Sequence, residues 1–285
     1  MKRYDYHQPQ SLKEAYQFME KGSAGNARYI AGGTDILWRI RQKAVEPDAL
    51  ISLRGVEGLR GIHQNGGLSL GGMTLFRDVE RHSGVVLDYA ALAQAAAVLA
   101  NPQIRNVATL GGNLCNAAPS ADSAPPLLVM EAVVVLEGPA GRREVALEHF
   151  FKGPGQTVLD RTEVLTRIRI PERQPRTGSA FLKAGRLKQD IAVVNAAALV
   201  VMKGNQCAKC RLAIGAVAPV PLRLKSVEKL VEGQEISPGL LERACELAEK
   251  EVSPISDVRS TEEYRRTMAG VLAKEVIQKA VRDAR

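Results

Sequence analysis

Ala31-Gly32-Gly33-Thr34-Asp35 and Thr109-Leu110-Gly111-Gly112-Asn113 are the two stretches on which the reading of this chain turns. Each follows a strand-like apolar run, Ala27–Ile30 and Val107–Leu110 respectively. Paired glycines have no Cβ, so the chain can bend into a concave nest whose amides converge on an anion. One such pair is also what an ordinary turn contains. Two of them point to a single ligand with adjacent negative charges, such as a dinucleotide diphosphate. After the first, Asp35–Arg41 has helical spacing through Ile36, Leu37 and Ile40. Strand, glycine turn and helix is the order in which a helix N-terminus faces a phosphate. Asp35 is equally suited to a plain N-cap.

Working outward, Ser11–Lys21 reads as an amphipathic helix capped by Ser11, with Leu12, Ala15, Tyr16 and Met19 on one face. Strands are expected at Leu50–Leu53, Leu59–Ile62, Leu68–Leu70, Ala132–Glu137 and Thr162–Ile170, and helices at Thr74–Arg81 and Tyr89–Ala100. Asn116–Pro126 reads as a rigid linker entering a helix that Asp122 or Ser123 caps. Pro171–Gly178, rich in proline, charge and glycine, marks a domain boundary, with 1–175 before it (subdomains about 1–55 and 56–175) and 176–285 after it. Beyond it come three antiparallel strand signals and two helices, Pro238–Val252 and Thr261–Arg282.

A chain of 285 residues with 45% hydrophobic content can bury a substantial core. Its start lacks a secretory signal and no apolar run is long enough to span a bilayer, which predicts a cytoplasmic protein. The net charge of +8 is concentrated between Arg173 and Arg211, where eight cations face one acid, Asp190. Single-strand nucleic-acid binders interleave such cations with aromatics, and only Phe181 is present, so nucleic acid is not expected. Cys207-Ala-Lys-Cys210 has redox or metal spacing, but no second pair or nearby histidine completes a metal site, and it reads as a surface hairpin. No metal site is expected. There is no Gly-x-Gly-x-x-Gly after a strand, no P-loop and no Gly-x-Ser-x-Gly elbow, and the four histidines are scattered. With no acid–base machinery in view, the chemistry is expected to reside in a cofactor.

The first glycine stretch, the run Arg105–Pro126 that contains the second, and Phe181-Leu182-Lys183-Ala184-Gly185-Arg186-Leu187-Lys188-Gln189-Asp190-Ile191-Ala192 together resemble the FAD-binding medium subunit of molybdenum hydroxylases. That family includes the flavoprotein subunits of xanthine dehydrogenase and aerobic carbon monoxide dehydrogenase. The resemblance implies an α+β chain: a PCMH-type FAD-binding fold in two α/β subdomains, then a C-terminal domain with a three-stranded antiparallel sheet and helices. By position, it places Tyr29, Ile30, Ala31, Gly32, Gly33, Thr34, Asp35 and Ile36 in the first FAD loop. Thr109, Leu110, Gly111, Gly112 and Asn113 form the second, with both around the diphosphate. Asp122 contacts the cofactor, Ala100 and Leu165 lie near it, and Lys183 sits close to the isoalloxazine, where a cation can stabilise the charge of the reduced ring.

Apart from Cys115, two residues after Asn113, no histidine or cysteine lies in the glycine loops, so the FAD is expected to be non-covalent. The resemblance implies an oxidoreductase subunit with no catalytic residue of its own. Molybdopterin and [2Fe–2S] clusters belong to a large and a small partner subunit, in a dimer of heterotrimers. Electrons pass from those clusters to an external acceptor, and the basic stretch and Pro/Gly linkers are docking surfaces. Some relatives carry a four-cysteine insertion for an extra cluster, which this chain lacks. A self-sufficient flavin reductase of the same fold would need its own acid and base groups, and no convincing set is present. A non-catalytic nucleotide-binding scaffold is the remaining alternative.

Overall fold

The computed structural model describes residues 3–21, 26–187 and 189–284. Lys188, in the third motif, and most of the turn expected after Lys21 lie outside the described residues. The chain opens with β1 (Asp5–His7), α1 (Leu12–Lys21), β2 (Ala27–Ile30), α2 (Ile36–Arg41) and β3 (Ala49–Ser52). The three strands form a parallel sheet in the order β1-β3-β2. Ser11 caps α1 as expected, its Oγ accepting from the Glu14 N–H at 3.2 Å. Ala15 and Met19 of α1 are buried in a small core with Ala49 and Ile51.

A second unit contains β4 (Ile62–Gln64), β5 (Gly67–Gly71), α3 (Phe76–Arg81), α4 (Ser83–Asp88), α5 (Ala90–Val98), α6 (Pro102–Arg105), α7 (Leu110–Cys115) and α8 (Ala124–Val129). It continues through β6 (Val133–Gly138), β7 (Gly141–Ala146), the small hairpin β8 (Phe151–Gly153) and β9 (Gln156–Thr157), and β10 (Val164–Pro171). Its five-stranded sheet is antiparallel, in the order β4-β5-β10-β6-β7. The strand expected at Leu59–Ile62 starts only at Ile62, because Leu59 turns into the N-terminal core instead. In β10 a register shift between Leu165 and Arg167 breaks simple alternation, so Val164, Leu165 and Thr166 are all buried.

The C-terminal unit pairs β11 (Thr177–Ala184), β12 (Val194–Lys203), β13 (Gln206–Gly215) and a two-residue β14 (Leu222–Arg223) in an antiparallel sheet. The last strand adds to the three that the sequence signals. Helices α9 (Lys225–Val231), α10 (Pro238–Glu251) and α11 (Glu262–Asp283) cover one face. Thr261 caps α11, accepting from the Tyr264 N–H at 3.2 Å. The other face meets α5 and α8, and Phe181, Ala197 and Ala213 join the main apolar core there.

One expectation is corrected here. Cys207 and Cys210 are buried rather than on a surface hairpin. A bulge opposite Val201 and Met202 inserts one residue between them, so an odd spacing still puts both on the inner face. The basic stretch is also largely neutralised within the fold. Arg173 pairs with Asp88 at 3.3 Å, while Lys209 and Arg211 converge on Glu131 at 2.6 and 2.9 Å.

Candidate functional site

A cavity of about 710 Å³ opens where the three units meet. That is the volume range of pockets enclosing a sizeable small molecule. Every residue of Tyr29–Ile36 except Ile30 lines it, as does every residue of Thr109–Asn113 except Leu110, together with Ala100, Asp122, Leu165 and Lys183. Ile30 and Leu110 turn the other way, Ile30 onto Ile40 and Leu50 and Leu110 into the main core. In a strand, neighbours face opposite sides, which is why Tyr29 and Ile30 part company.

The first stretch is an open turn after β2. Gly33 has φ +80°, a left-handed conformation that glycine adopts at little cost. Among the described residues, nothing accepts a hydrogen bond from the amides of Gly32, Gly33, Thr34 or Asp35. Asp35 stands at the N-cap position of α2 but makes no capping bond. Its carboxylate instead accepts from Thr34 Oγ1 at 3.2 Å and from Asn116 Nδ2 at 3.1 Å, which ties it to the end of α7.

The second stretch differs from expectation. Val107 and Ala108 form no strand, and Gly111 and Gly112 lie in the first turn of α7, not in a left-handed nest. Thr109 caps that helix, its Oγ1 accepting from the Gly112 N–H at 3.1 Å. The glycines are required by close approach. A Cβ on Gly111 would lie 2.6 Å from the Gly72 carbonyl oxygen, to which the Gly111 N–H donates at 2.9 Å. Gly72 is pressed in turn against Leu165, whose carbonyl oxygen lies 2.0 Å from where a Cβ would stand. Gly72 and Met73 therefore also line the cavity. Neither was among the expected site residues, although Gly71-Gly72 is, with Gly66-Gly67, a further paired-glycine signal in the sequence.

The two stretches touch. A Cβ on Gly32 would fall 2.2 Å from the Val107 carbonyl oxygen, and one on Gly112 would lie 3.5 Å from Ala31 Cβ. Asp122 and Ser123 cap nothing. Ser123 Oγ donates to Asn113 Oδ1 at 2.6 Å, and Asp122 takes part in a buried cluster. Lys183 Nζ donates to Asp122 Oδ2 at 2.8 Å and to the Val98 carbonyl at 3.2 Å. An ammonium has three N–H donors, and the third finds no acceptor among the described residues. Burial pushes the Asp122 carboxyl up, while Lys183 and Asn195 pull it down.

Other walls are specialised too. Ala100 is held at φ 42°, where a side chain is strained by about 1–3 kcal/mol. Arg105, paired with Glu80 at 3.0 Å, fixes it by donating to the Leu99 carbonyl at 3.0 Å. Tyr29 donates its hydroxyl to the Thr162 carbonyl at 3.1 Å, and burial pushes its pKa up. Cys115 is pushed by burial up to about 12, so it stays a protonated, poorly nucleophilic thiol.

A long anionic cofactor fits this donor set. The free amides of Gly32–Asp35, the first turn of α7 and the buried Lys183 ammonium all line the cavity. Three buried side chains with no chemistry of their own (Leu165, Leu99 and Met73) add apolar wall.

Comparison with known proteins agrees. The family described as the FAD binding domain in molybdopterin dehydrogenase matches residues 2–173, and the CO dehydrogenase flavoprotein C-terminal domain matches residues 179–280. The carbon monoxide dehydrogenase medium chain of Hydrogenophaga pseudoflava is 32% identical over 98% of this chain and 97% of its own length. The xanthine dehydrogenase FAD-binding subunit of Escherichia coli O157:H7 is 34% identical over 97% and 95%. Among solved structures, carbon monoxide dehydrogenase from Hydrogenophaga pseudoflava superposes with a TM-score of 0.94 at 31% identity, covering 98% of this chain and 97% of that one. Quinoline 2-oxidoreductase from Pseudomonas putida 86 gives 0.93 at 32%, covering 100% and 99%. The chain belongs to the FAD-binding subunits of the molybdenum hydroxylase family, oxidoreductase subunits whose cofactor is FAD.

Proposed function

We propose that this chain is the electron-transfer subunit of a multi-subunit molybdenum hydroxylase. It takes electrons from [2Fe–2S] clusters on a small partner subunit and delivers them to an external acceptor. A large partner subunit carries the molybdopterin and oxidises the substrate, in a dimer of heterotrimers located in the cytoplasm. Support for the complex comes from relatives named as a carbon monoxide dehydrogenase medium chain and a xanthine dehydrogenase FAD-binding subunit. No helix among the described residues is long and apolar enough to cross a membrane. We divide the chain at 175/176 into a PCMH-type domain and a C-terminal flavoprotein domain.

The observation that carries the reading of the site is that Gly32 packs against the Val107–Ala108 backbone entering the second glycine stretch, so both stretches line one cavity. In this reading the free amides of Gly32–Asp35 hold the diphosphate, and α7, whose first amides are bonded to Thr74, Gly72 and Thr109, adds only the positive end of its dipole beside it. Asp122, Ala100 and Leu165 border the flavin end, and Lys183 stands beside the isoalloxazine. The bound FAD supplies reversible two-electron uptake. The chain's own residues hold it non-covalently, exclude water with Leu165 and Met73, and set the local charge through Lys183 and Asp122. With its thiol protonated, Cys115 is not poised to bond the ring.

Purification of the full chain tests this. Flavin absorption bands are expected, with the flavin released as free FAD on acid denaturation. Co-expression with neighbouring subunits should yield a complex that contains iron and molybdenum. A colourless chain, or one that never joins an iron–sulfur protein, refutes the reading.

A further inference from the structure

Asn195 on β12 is fully buried, and its two polar atoms have unequal surroundings. Nδ2 donates to Asp122 Oδ1 at 2.8 Å and to the Ser120 carbonyl at 3.4 Å. Oδ1 has no partner among the described residues. A buried acceptor without a donor is destabilising, so an apolar residue would serve packing better. The surroundings nonetheless accommodate the amide closely. A Cβ on Gly215 would lie 2.3 Å from Asn195 Oδ1. The next residue, Ala216, is held at φ 65° and donates to the Pro119 carbonyl at 2.7 Å, clamping the segment that leads to Asp122. The amide's orientation follows from charge, since turning it over would set Oδ1 against a carboxylate oxygen.

Asp122 therefore accepts from two neighbouring strands, Lys183 on β11 at Oδ2 and Asn195 on β12 at Oδ1. Lys183 is the charged side chain that faces it, and the Val98 carbonyl at the end of α5 completes the lysine's contacts. The other titratable groups on the cavity wall are Arg28, Tyr29, Asp35, Arg39, Cys115, Glu163 and Asp190, and none hydrogen-bonds to Asp122 or Lys183. We propose that Asn195 is a positioning residue: its amide keeps Asp122 ionised beside the Lys183 ammonium, so the pair stays neutral overall and the ammonium's third N–H remains directed to the cavity. The inference rests on the reading that the flavin ring lies beside Lys183.

Burial alone favours a protonated Asp122. The amide donor and the lysine oppose this, and the proposal is that both are needed. Charge bookkeeping then distinguishes two variants. In Asn195→Asp the two carboxyls share one proton at low pH. The new acid then donates as the amide did, and the cluster is neutral. At high pH both ionise and the cluster becomes negative. In Asn195→Leu the donor is gone, so Asp122 takes up a proton at low pH and leaves the cluster positive, returning to neutral at high pH.

The test is the two-electron midpoint potential of the FAD-loaded full chain from pH 6 to 9, measured by spectroelectrochemistry for wild type and both variants. Negative charge beside the ring disfavours reduction and positive charge favours it. Asn195→Asp should match wild type at pH 6 and fall progressively below it as pH rises. Asn195→Leu should lie above wild type at pH 6 and converge by pH 9. Three parallel lines overturn the proposal, because a packing role shifts a potential without changing its pH slope. If Asn195→Leu does not fold, Asn195→Asp decides alone, since at pH 6 it retains both shape and donor. An Asn195→Asp chain that has lost FAD at pH 6 also overturns it. A wild-type chain that retains no flavin overturns both this inference and the reading beneath it, whereas flavin bound with parallel lines overturns this inference only.

Discussion

Gly32→Ala is the most exacting test of the two-loop site. The added methyl would stand 2.2 Å from the Val107 carbonyl oxygen and 3.0 Å from Ala108 Cα, both backbone atoms that no rotamer change can move aside. Gly32 does not have positive φ, so the substitution adds crowding without backbone strain. Restoring an ordinary C···O contact requires the loops to part by about 1 Å, and overpacking of this kind costs about 1–3 kcal/mol of stability. The effect on the ligand should be larger. A separation of about 1 Å takes hydrogen bonds from one loop out of range, since they weaken beyond about 3.2 Å. Loss of two charge-assisted bonds at about 1.5–3 kcal/mol each weakens binding by about 10²–10⁴-fold. Titrating apoprotein with FAD and following the quenching of flavin fluorescence measures that loss directly, and urea unfolding measures the stability term. A Gly32→Ala variant that binds FAD within about threefold of wild type would refute the idea that the two loops share one diphosphate.

Further outcomes follow from the same geometry. Thr109→Val removes the oxygen that caps α7 and should cost about 1 kcal/mol in urea unfolding. Lys183→Met should retain FAD but lower its midpoint potential, most strongly at high pH where Asp122 loses its proton, as spectroelectrochemistry would show. Glu163 is held below the usual carboxylate range by Arg143, whose two bonds to it are 2.7 Å long. A lowered native pKa means that the stabilisation is present above about pH 5 and disappears as pH falls through the native value. The difference in melting temperature between wild type and Glu163→Gln should therefore shrink towards zero below about pH 4. A difference that persists in acid would show that the ion pair is not its source.

Much of this fold was legible because its signals are local. Ser11 and Thr261 announce their helices by capping chemistry, and Pro238 and the β6–β7 turn fall where periodicity changes. The candidate site came by a different route: the resemblance named Ala100, Asp122, Leu165 and Lys183 from distant parts of the chain, and all four line one cavity. What escaped depends on contacts across the structure. Gly111 and Gly112 were expected to bend the chain, yet they are needed because the Gly72 backbone presses against the first and the capping Thr109 hydroxyl against the second. Cys207 and Cys210 turned inward through a bulge that no pattern in the strand reveals. Asn195 gave no signal at all, because an asparagine inside an apolar strand gains its meaning only from the carboxylate opposite.

Phe181, Ala197 and Ala213 share an interior with α5, α7 and α8, and this has a consequence for how the chain can be divided or inherited. A fragment ending at residue 175 would forfeit the lysine and also lay bare the flank that supports the cofactor's chamber, inviting aggregation before any flavin could enter. For the same reason, exchanging the C-terminal portion between relatives should succeed only when the buried seam travels with it. The two halves have two names but share one interior.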